Sequence, residues 1–147
     1  MTSAGPSTKT AQIVIGNSIP EMAKVADLVD RFGSEHAIPQ RAVDNLNICL
    51  DELINNTISY GYSDQNVHEI KVGLSLVDGA LLIAEIRDDA APFDPRAAAA
   101  PKLDGSVGGL GVHFVRTLMD EISYSRVDNC NVVKISKKLS EASGDKP

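Results

Sequence analysis

The chain of 147 residues is long enough for one ordinary domain with a single hydrophobic core. Its formal net charge of −6, from 14 basic and 20 acidic residues, argues against a nucleic-acid backbone as a direct partner, since such binding needs a basic footprint. No apolar run is long enough to span a membrane, and the first ten residues lack a signal-peptide pattern, so we expect a cytoplasmic protein with no membrane partner.

Apolar periodicity and turn-forming residues predict one domain at 11–139, between flexible tails at 1–10 and 140–147. In chain order we predict a strand at 11–17, helices at 18–36 and 39–60, strands at 68–77 and 80–88, a loop at 89–108, a helix at 109–122, and strands at 123–127 and 131–139. Hairpin-joined strands with grouped helices indicate an α+β fold. We expect a two-layer sandwich in which helices cover one face of a mixed, mostly antiparallel sheet.

The second predicted helix carries polar side chains where an ordinary amphipathic helix has few. Glu52 and Asn56 are four residues apart, so they project from the same side of the helix. A carboxylate in this place accepts a proton or orients an attacking hydroxyl, and an amide oxygen is a suitable ligand for Mg²⁺. The alternative for this pair alone is a solvated helix face. Gly61 is expected to stop the helix.

Asp88 ends the second strand of the first predicted hairpin, on the apolar side of that strand. Counting back by twos places it on the same face as Ile86, Ala84 and Leu82. A carboxylate on this face is costly without a donor, and the exocyclic amine of a purine would supply one. The alternative is an aspartate that caps the following turn. Phe93, in that turn, would close one side of a flat ring.

Glycines lead the third predicted helix, directly after the long loop. The run Gly108, Gly109, Leu110 and Gly111 would present free N–H groups and the positive end of the helix dipole, which favour a phosphate. The run is not a P-loop, because no Gly-Lys-Ser/Thr sequence follows, and it is not a Rossmann fingerprint, because no strand leads straight into it. Glycines before a helix are common, so the run indicates a phosphate site only in combination with the other two segments.

These three segments occur in the order that one nucleotide site would require. Together they resemble the GHKL superfamily of ATP-binding domains, which share the Bergerat fold. Within it, "LDELINNTISYGY", "IRDDAAPFDP" and "GGLGVHFVRTLMDEISYSR" are similar to the anti-sigma-factor serine/threonine kinases of bacterial partner-switching circuits. The resemblance covers roughly residues 10–139. It implies a histidine-kinase-like ATP-binding domain with an ATP lid at 89–107.

The resemblance implies ATP or ADP and Mg²⁺ as cofactors and gives each candidate residue a role. Glu52 matches the general base, Asn56 the magnesium ligand, and Asp88 the residue that reads adenine. The other cofactor-binding positions lie beside the purine or the phosphates, and they are Ala90, Phe93, Gly108, Gly109, Leu110 and Gly111. Ala90 departs from the Asp-x-Gly pattern usual in the family. Because alanine adopts a positive φ less readily than glycine, we expect the turn to differ there.

The family likeness implies a kinase that is also a switchable binding partner. Such a protein sequesters a sigma factor, or an analogous target, and phosphorylates a STAS-type anti-sigma-factor antagonist on a serine. A homodimer is common among these kinases. The alternative is a nucleotide-regulated protein-binding module without efficient kinase activity. Ala90 favours this alternative. So does the place just before the glycines, Val107 or Ser106, where some relatives carry a basic residue.

Overall fold

The computed structural model describes residues 7–97 and 115–139. Its main elements are β1 (Thr8–Gly16), α1 (Met22–Glu35), α2 (Gln40–Tyr60), β2 (Glu69–Val77), β3 (Leu81–Asp88), β4 (Glu121–Val127) and β5 (Cys130–Lys138). These strands form a sheet in the order β1-β2-β3-β5-β4, in which every neighbouring pair is antiparallel. Within the described ranges, no helix combines the length and the apolar character needed to cross a membrane.

The core lies between one face of the sheet and the two helices. Every second residue of β2 and β3 points into it, and apolar stripes of α1 and α2 cover that face. The buried residues that build this layer include Ile70, Val72, Leu74, Leu82, Ala84 and Ile86 from the strands and Val25, Val29, Phe32, Leu46, Leu50 and Ile54 from the helices. Burial of this shared apolar surface holds the two layers together. The predicted α+β sandwich is confirmed, and its sheet is wholly antiparallel within the described residues rather than mixed.

The N-terminal strand starts earlier than the sequence predicts. β1 begins at Thr8, which pairs with Val77, and it runs beside β2 to its last residue. Residues 8–10 therefore belong to the sheet rather than to a flexible tail, because each of them gains backbone partners on β2. Residues 1–6 and 140–147 of the predicted tails lie outside the described residues.

The third helix ends earlier than predicted. Its predicted range runs to residue 122, but the described part is helical only at 115–118, and β4 begins at Glu121. The Asp120 N–H already donates to the Ser136 carbonyl, 2.8 Å away. Pairing with β5 therefore overrides the local helical pattern, as tertiary context often does.

Candidate functional site

A cavity of about 410 Å³ lies between the C-terminal half of α2 and the ends of β3 and β5. Four of the predicted site residues line it together: Asn56, Asp88, Ala90 and Phe93. The other lining residues are Leu53, Thr57, Tyr60, Gly61, Ile86, Ala91, Pro92, Pro95, Asn131 and Val133. The predicted phosphate-side run, Gly108, Gly109, Leu110 and Gly111, lies outside the described residues.

The Asp88 carboxylate is buried at this cavity, with only 4% of the residue exposed. Its Oδ1 accepts the N–H of Ala90 at 3.0 Å and the Nδ2 of Asn131 at 2.9 Å. The turn-capping role considered from the sequence is therefore present on Oδ1. No described residue donates to Oδ2, which leaves this oxygen as an acceptor for a ligand. Burial raises the pKa of Asp88, and these two hydrogen bonds oppose the rise.

Asn131 is a site residue that the sequence pattern did not identify. It lies directly opposite Asp88 in the register of β3 and β5, and it is 4% exposed. Its Nδ2 donates to Asp88 and to the Ala91 carbonyl, 3.0 Å away. Its Oδ1 accepts the Tyr124 hydroxyl at 2.7 Å and the Phe93 N–H at 3.2 Å. One amide thus fixes the carboxylate and the turn that form one side of the cavity.

The turn after Asp88 packs closely against the end of α2. Ala90 is buried, and it is not among the described residues with a positive φ, so the expected strain of alanine in this turn does not arise. The Ala91 N–H donates to the Gly61 carbonyl at 3.0 Å. A Cβ on Gly61 would lie 2.7 Å from the Ala90 Cβ and 2.6 Å from the Thr57 carbonyl oxygen. Because Gly61 has a φ of −85°, glycine is needed here for close approach rather than for a left-handed helix stop.

The two polar candidates on α2 occupy different positions. Asn56 lines the cavity, whereas Glu52, one helical turn earlier, is half-buried and does not line it. Neither side chain makes a hydrogen bond or an ion pair within the described ranges. Both are therefore available to a ligand or a substrate. The candidate base stands one turn along the helix from the cavity wall.

The family described as Histidine kinase-like ATPase domain matches residues 17–137. The chain belongs to this family. The predicted GHKL resemblance is thereby confirmed. The matched range contains every candidate site residue, from Glu52 to Gly111.

Two curated relatives of this histidine kinase-like ATPase domain are protein kinases by name. Serine/threonine-protein kinase BtrW from Bordetella bronchiseptica is 31% identical over 91 residues, which cover 58% of this chain and 63% of the relative. Serine-protein kinase RsbW from Bacillus velezensis is 28% identical over 88 residues, which cover 54% of this chain and 55% of the relative. The chain thus spans less than two thirds of the length of either relative.

The solved structures with the same fold include the RsbU and RsbW domains of Rv1364c from Mycobacterium tuberculosis. That structure matches with a TM-score of 0.66 at 13% identity, covering 89% of this chain and 32% of the other. A blue-light activated histidine kinase from Erythrobacter litoralis matches with a TM-score of 0.60 at 16% identity, covering 85% of this chain and 42% of the other. At these identities the likeness shows the fold.

The cavity of this ATPase-family domain fits an adenine nucleotide in polarity as well as in size. Leu53, Ile86 and Val133 supply apolar walls for a flat base, and the free oxygen of Asp88 supplies an acceptor for an exocyclic amine. The Asn56 amide is the kind of neutral oxygen ligand that Mg²⁺ takes together with phosphate oxygens. The residues present therefore fit ATP or ADP, with Asn56 as the candidate metal ligand.

Replacing Gly61 with alanine is expected to lower the free energy of unfolding by about 1–3 kcal/mol, the usual cost of an extra methyl group in a packed interior. The new Cβ would lie 2.6 Å from the Thr57 carbonyl oxygen and 2.7 Å from the Ala90 methyl group, so both contacts must be relieved. Urea denaturation followed by circular dichroism measures the loss. Gly73→Ala is the matched control, because the nearest heavy atom to its Cβ would be the Ala11 carbonyl oxygen at 4.0 Å. Equal losses in both variants would contradict the crowding argument.

Proposed function

We propose that the chain binds ATP or ADP together with Mg²⁺ and acts as a cytoplasmic anti-sigma factor with serine/threonine-protein kinase activity. In this proposal it sequesters a sigma factor, or an analogous target, and phosphorylates a STAS-type antagonist on a serine. The observation that carries the proposal is that the buried Asp88 carboxylate and Asn56 line one cavity of ligand size. The names of the two kinase relatives support the reaction class.

Each polar side chain of the site has a task in this reaction. Bound Mg-ATP supplies the phosphoryl group and a cation that offsets its charge. Asp88 accepts a hydrogen bond from the adenine amine and so fixes the base, while the apolar walls exclude water. The Asn56 amide oxygen would hold the metal. Glu52 would accept the proton that the serine hydroxyl loses as its oxygen bonds to the γ-phosphorus, while the bond from that phosphorus to the bridging oxygen breaks and ADP is the leaving group.

A nucleotide-regulated binding module without efficient kinase activity is the second candidate function. Two observations favour it: Glu52 does not line the cavity, and Val107 or Ser106 stands where some relatives carry a basic residue. The nucleotide would then change the affinity for a protein partner by binding two conformations unequally. Incubation with labelled Mg-ATP and a STAS-type antagonist separates the candidates. Labelled serine supports the kinase, and nucleotide binding without transfer supports the module.

Mg-ADP at about 100 times its Kd is expected to stabilise the folded chain by about 2.7 kcal/mol, because it binds only the folded state. For a domain of this size that corresponds to a rise in Tm of about 5–10 °C. Differential scanning fluorimetry measures the shift. Mg-GDP is the matched control ligand, since guanine places a carbonyl oxygen where adenine places its amine, facing the Asp88 carboxylate. No shift with Mg-ADP, or the same shift with both nucleotides, would contradict the proposed adenine site.

A further inference from the structure

The imidazole of His68 lies between two carboxylates at the edge of the candidate site. Its Nε2 is 2.8 Å from Asp64 Oδ1, and its Nδ1 is 3.2 Å from Asp89 Oδ2. Asp64 belongs to the loop that joins α2 to β2, and Asp89 directly follows the buried Asp88. The His68 side chain is 18% exposed. One ring therefore connects this loop to the turn that carries the purine-side carboxylate.

The position of this ring is fixed by contacts other than the two carboxylates. The Tyr62 ring stacks on it, with the ring centroids 4.3 Å apart and the planes 17° from parallel. The His68 backbone N–H donates to Asn17 Oδ1 at 2.9 Å, which anchors the residue to the end of β1. Because the imidazole cannot turn freely, its two nitrogens stay directed at Asp64 and Asp89.

The number of protons on His68 decides whether both contacts are favourable. A neutral imidazole has a single N–H and donates to one carboxylate only, whereas an imidazolium donates to both. The hydrogen bond to Asp64, and then the bond to Asp89, raise the pKa of His68 above its ordinary value. The stabilisation of the folded state by these two contacts is therefore fully present below the unfolded-state pKa of His68, and it is lost as the pH rises through the folded-state pKa. Other titratable or charged groups around this pocket are Tyr62, Glu69, Lys71, Arg87, Asp88 and Cys130.

The contacts of His68 with Asp64 and Asp89, called the clamp below, affect the candidate nucleotide site through Asp89. The turn from Asp88 to Ala90 is closed by the Ala90 N–H on Asp88 Oδ1, and Asp89 is its central residue. The negative charge of Asp89 also works against ionisation of Asp88. A cation on His68 holds the Asp89 side chain and offsets its charge. When His68 is neutral, one of its nitrogen lone pairs faces a carboxylate oxygen, and the turn loses this support.

We propose that His68 is a positioning residue for the nucleotide site: its protonated imidazole clamps Asp64 and Asp89, holds the turn that carries Asp88, and makes nucleotide affinity decrease as the pH rises. The inference rests on the adenine site of the proposed function. It concerns regulation of that site by protons, which the family membership does not imply.

The test compares Mg-ADP binding at about pH 6 and about pH 8.5, on either side of the usual histidine titration. Isothermal titration calorimetry gives the Kd of the natural sequence, of His68→Gln, and of His36→Gln as the matched histidine control at the end of α1. The natural sequence and His36→Gln are expected to bind about three- to tenfold more weakly at the higher pH, corresponding to coupling of up to about one pKa unit. His68→Gln is expected to lose this dependence, because glutamine does not titrate.

A second measurement does not depend on any variant. By reciprocity, a nucleotide that binds better to the protonated clamp must raise the pKa of His68 by the logarithm of the same factor. Two-dimensional NMR of the imidazole, with and without Mg-ADP, reads this shift directly. Equal pH dependence in the natural sequence and His68→Gln, or an unchanged His68 pKa on binding, overturns this inference alone. Absence of Mg-ADP binding at every pH overturns it together with the adenine site.

Discussion

Replacing Asp88 with asparagine is expected to weaken Mg-ADP binding about 30- to 100-fold, as expected when a buried polar contact is left unmade. An asparagine side-chain oxygen can still accept the N–H of Ala90 and the Nδ2 of Asn131, so the turn keeps its closure. The second oxygen, however, becomes an NH₂ group. A donor would then face the donor of the adenine amine, and the hydrogen bond that reads the base is lost.

The same change is expected to leave the free energy of unfolding unchanged or slightly raised at neutral pH. Burial raises the pKa of Asp88, so the folded state binds its proton more tightly than the unfolded state does. The charged carboxylate therefore costs stability above its folded-state pKa, and asparagine removes that cost. Calorimetric titration and urea denaturation measure the two quantities on one preparation. Loss of binding accompanied by an equally large loss of stability would indicate a purely structural role.

Asp128→Asn is the matched control for this variant. It makes the same chemical change at an exposed position in the β4–β5 turn, where the side chain is 87% exposed and φ is 52°. Asparagine tolerates that backbone conformation well. Binding and stability are both expected to match the natural sequence. Equal weakening in both variants would mean that net charge, rather than a direct contact from Asp88, governs nucleotide affinity.

Replacing Glu52 with glutamine is expected to slow phosphoryl transfer to a STAS-type antagonist by about 100- to 10,000-fold, the usual contribution of a general base. Glutamine keeps the size of the side chain but cannot accept the serine proton. Mg-ATP binding is expected to stay within about threefold, because Glu52 does not line the cavity. Single-turnover transfer of labelled phosphate, measured at saturating antagonist, separates the chemical step from binding.

The control for Glu52 is Glu85→Gln, on β3. Glu85 is partly exposed, and its carboxylate lies 3.9 Å from Lys134 on the neighbouring β5. Transfer is expected at the natural rate in this variant. If Glu52→Gln transfers phosphate as fast as Glu85→Gln, Glu52 is not the base. If Glu52→Gln also binds Mg-ATP far more weakly, Glu52 belongs to the binding site instead.

The alternation of side chains along the hairpin was enough to place Asp88 correctly. A strand has a period of two, so its buried face follows from Leu82, Ala84 and Ile86 without any knowledge of the neighbouring strands. The position of Asn56 followed in the same way from the helical period. Local periodicity therefore predicts which face of its own strand or helix each of these two cavity residues occupies.

Local periodicity could not predict contacts between distant segments of the chain. Asn131 alternates with Val133 and Ile135, which indicates a buried position, but only the β3–β5 register sets it opposite Asp88. The crowding at Gly61 likewise comes partly from Ala90, twenty-nine positions further on in the turn after β3. The predicted end of the third helix was wrong for the same reason, because pairing with β5 determines where the helix ends. Which strands pair is a property of the whole chain and is not contained in any short window of sequence.

The cavity also ties ligand binding to the order in which the chain folds. Asp88 and Asn131 are 43 positions apart, and they meet only after β3 and β5 have paired. Contacts of such long range form late, because closing the intervening loop costs entropy before any contact repays it. A sheet in which β3 and β5 have not yet paired therefore has no formed cavity for a nucleotide base. Nucleotide in the cell would stabilise only the chains that have finished folding, and it would slow their unfolding.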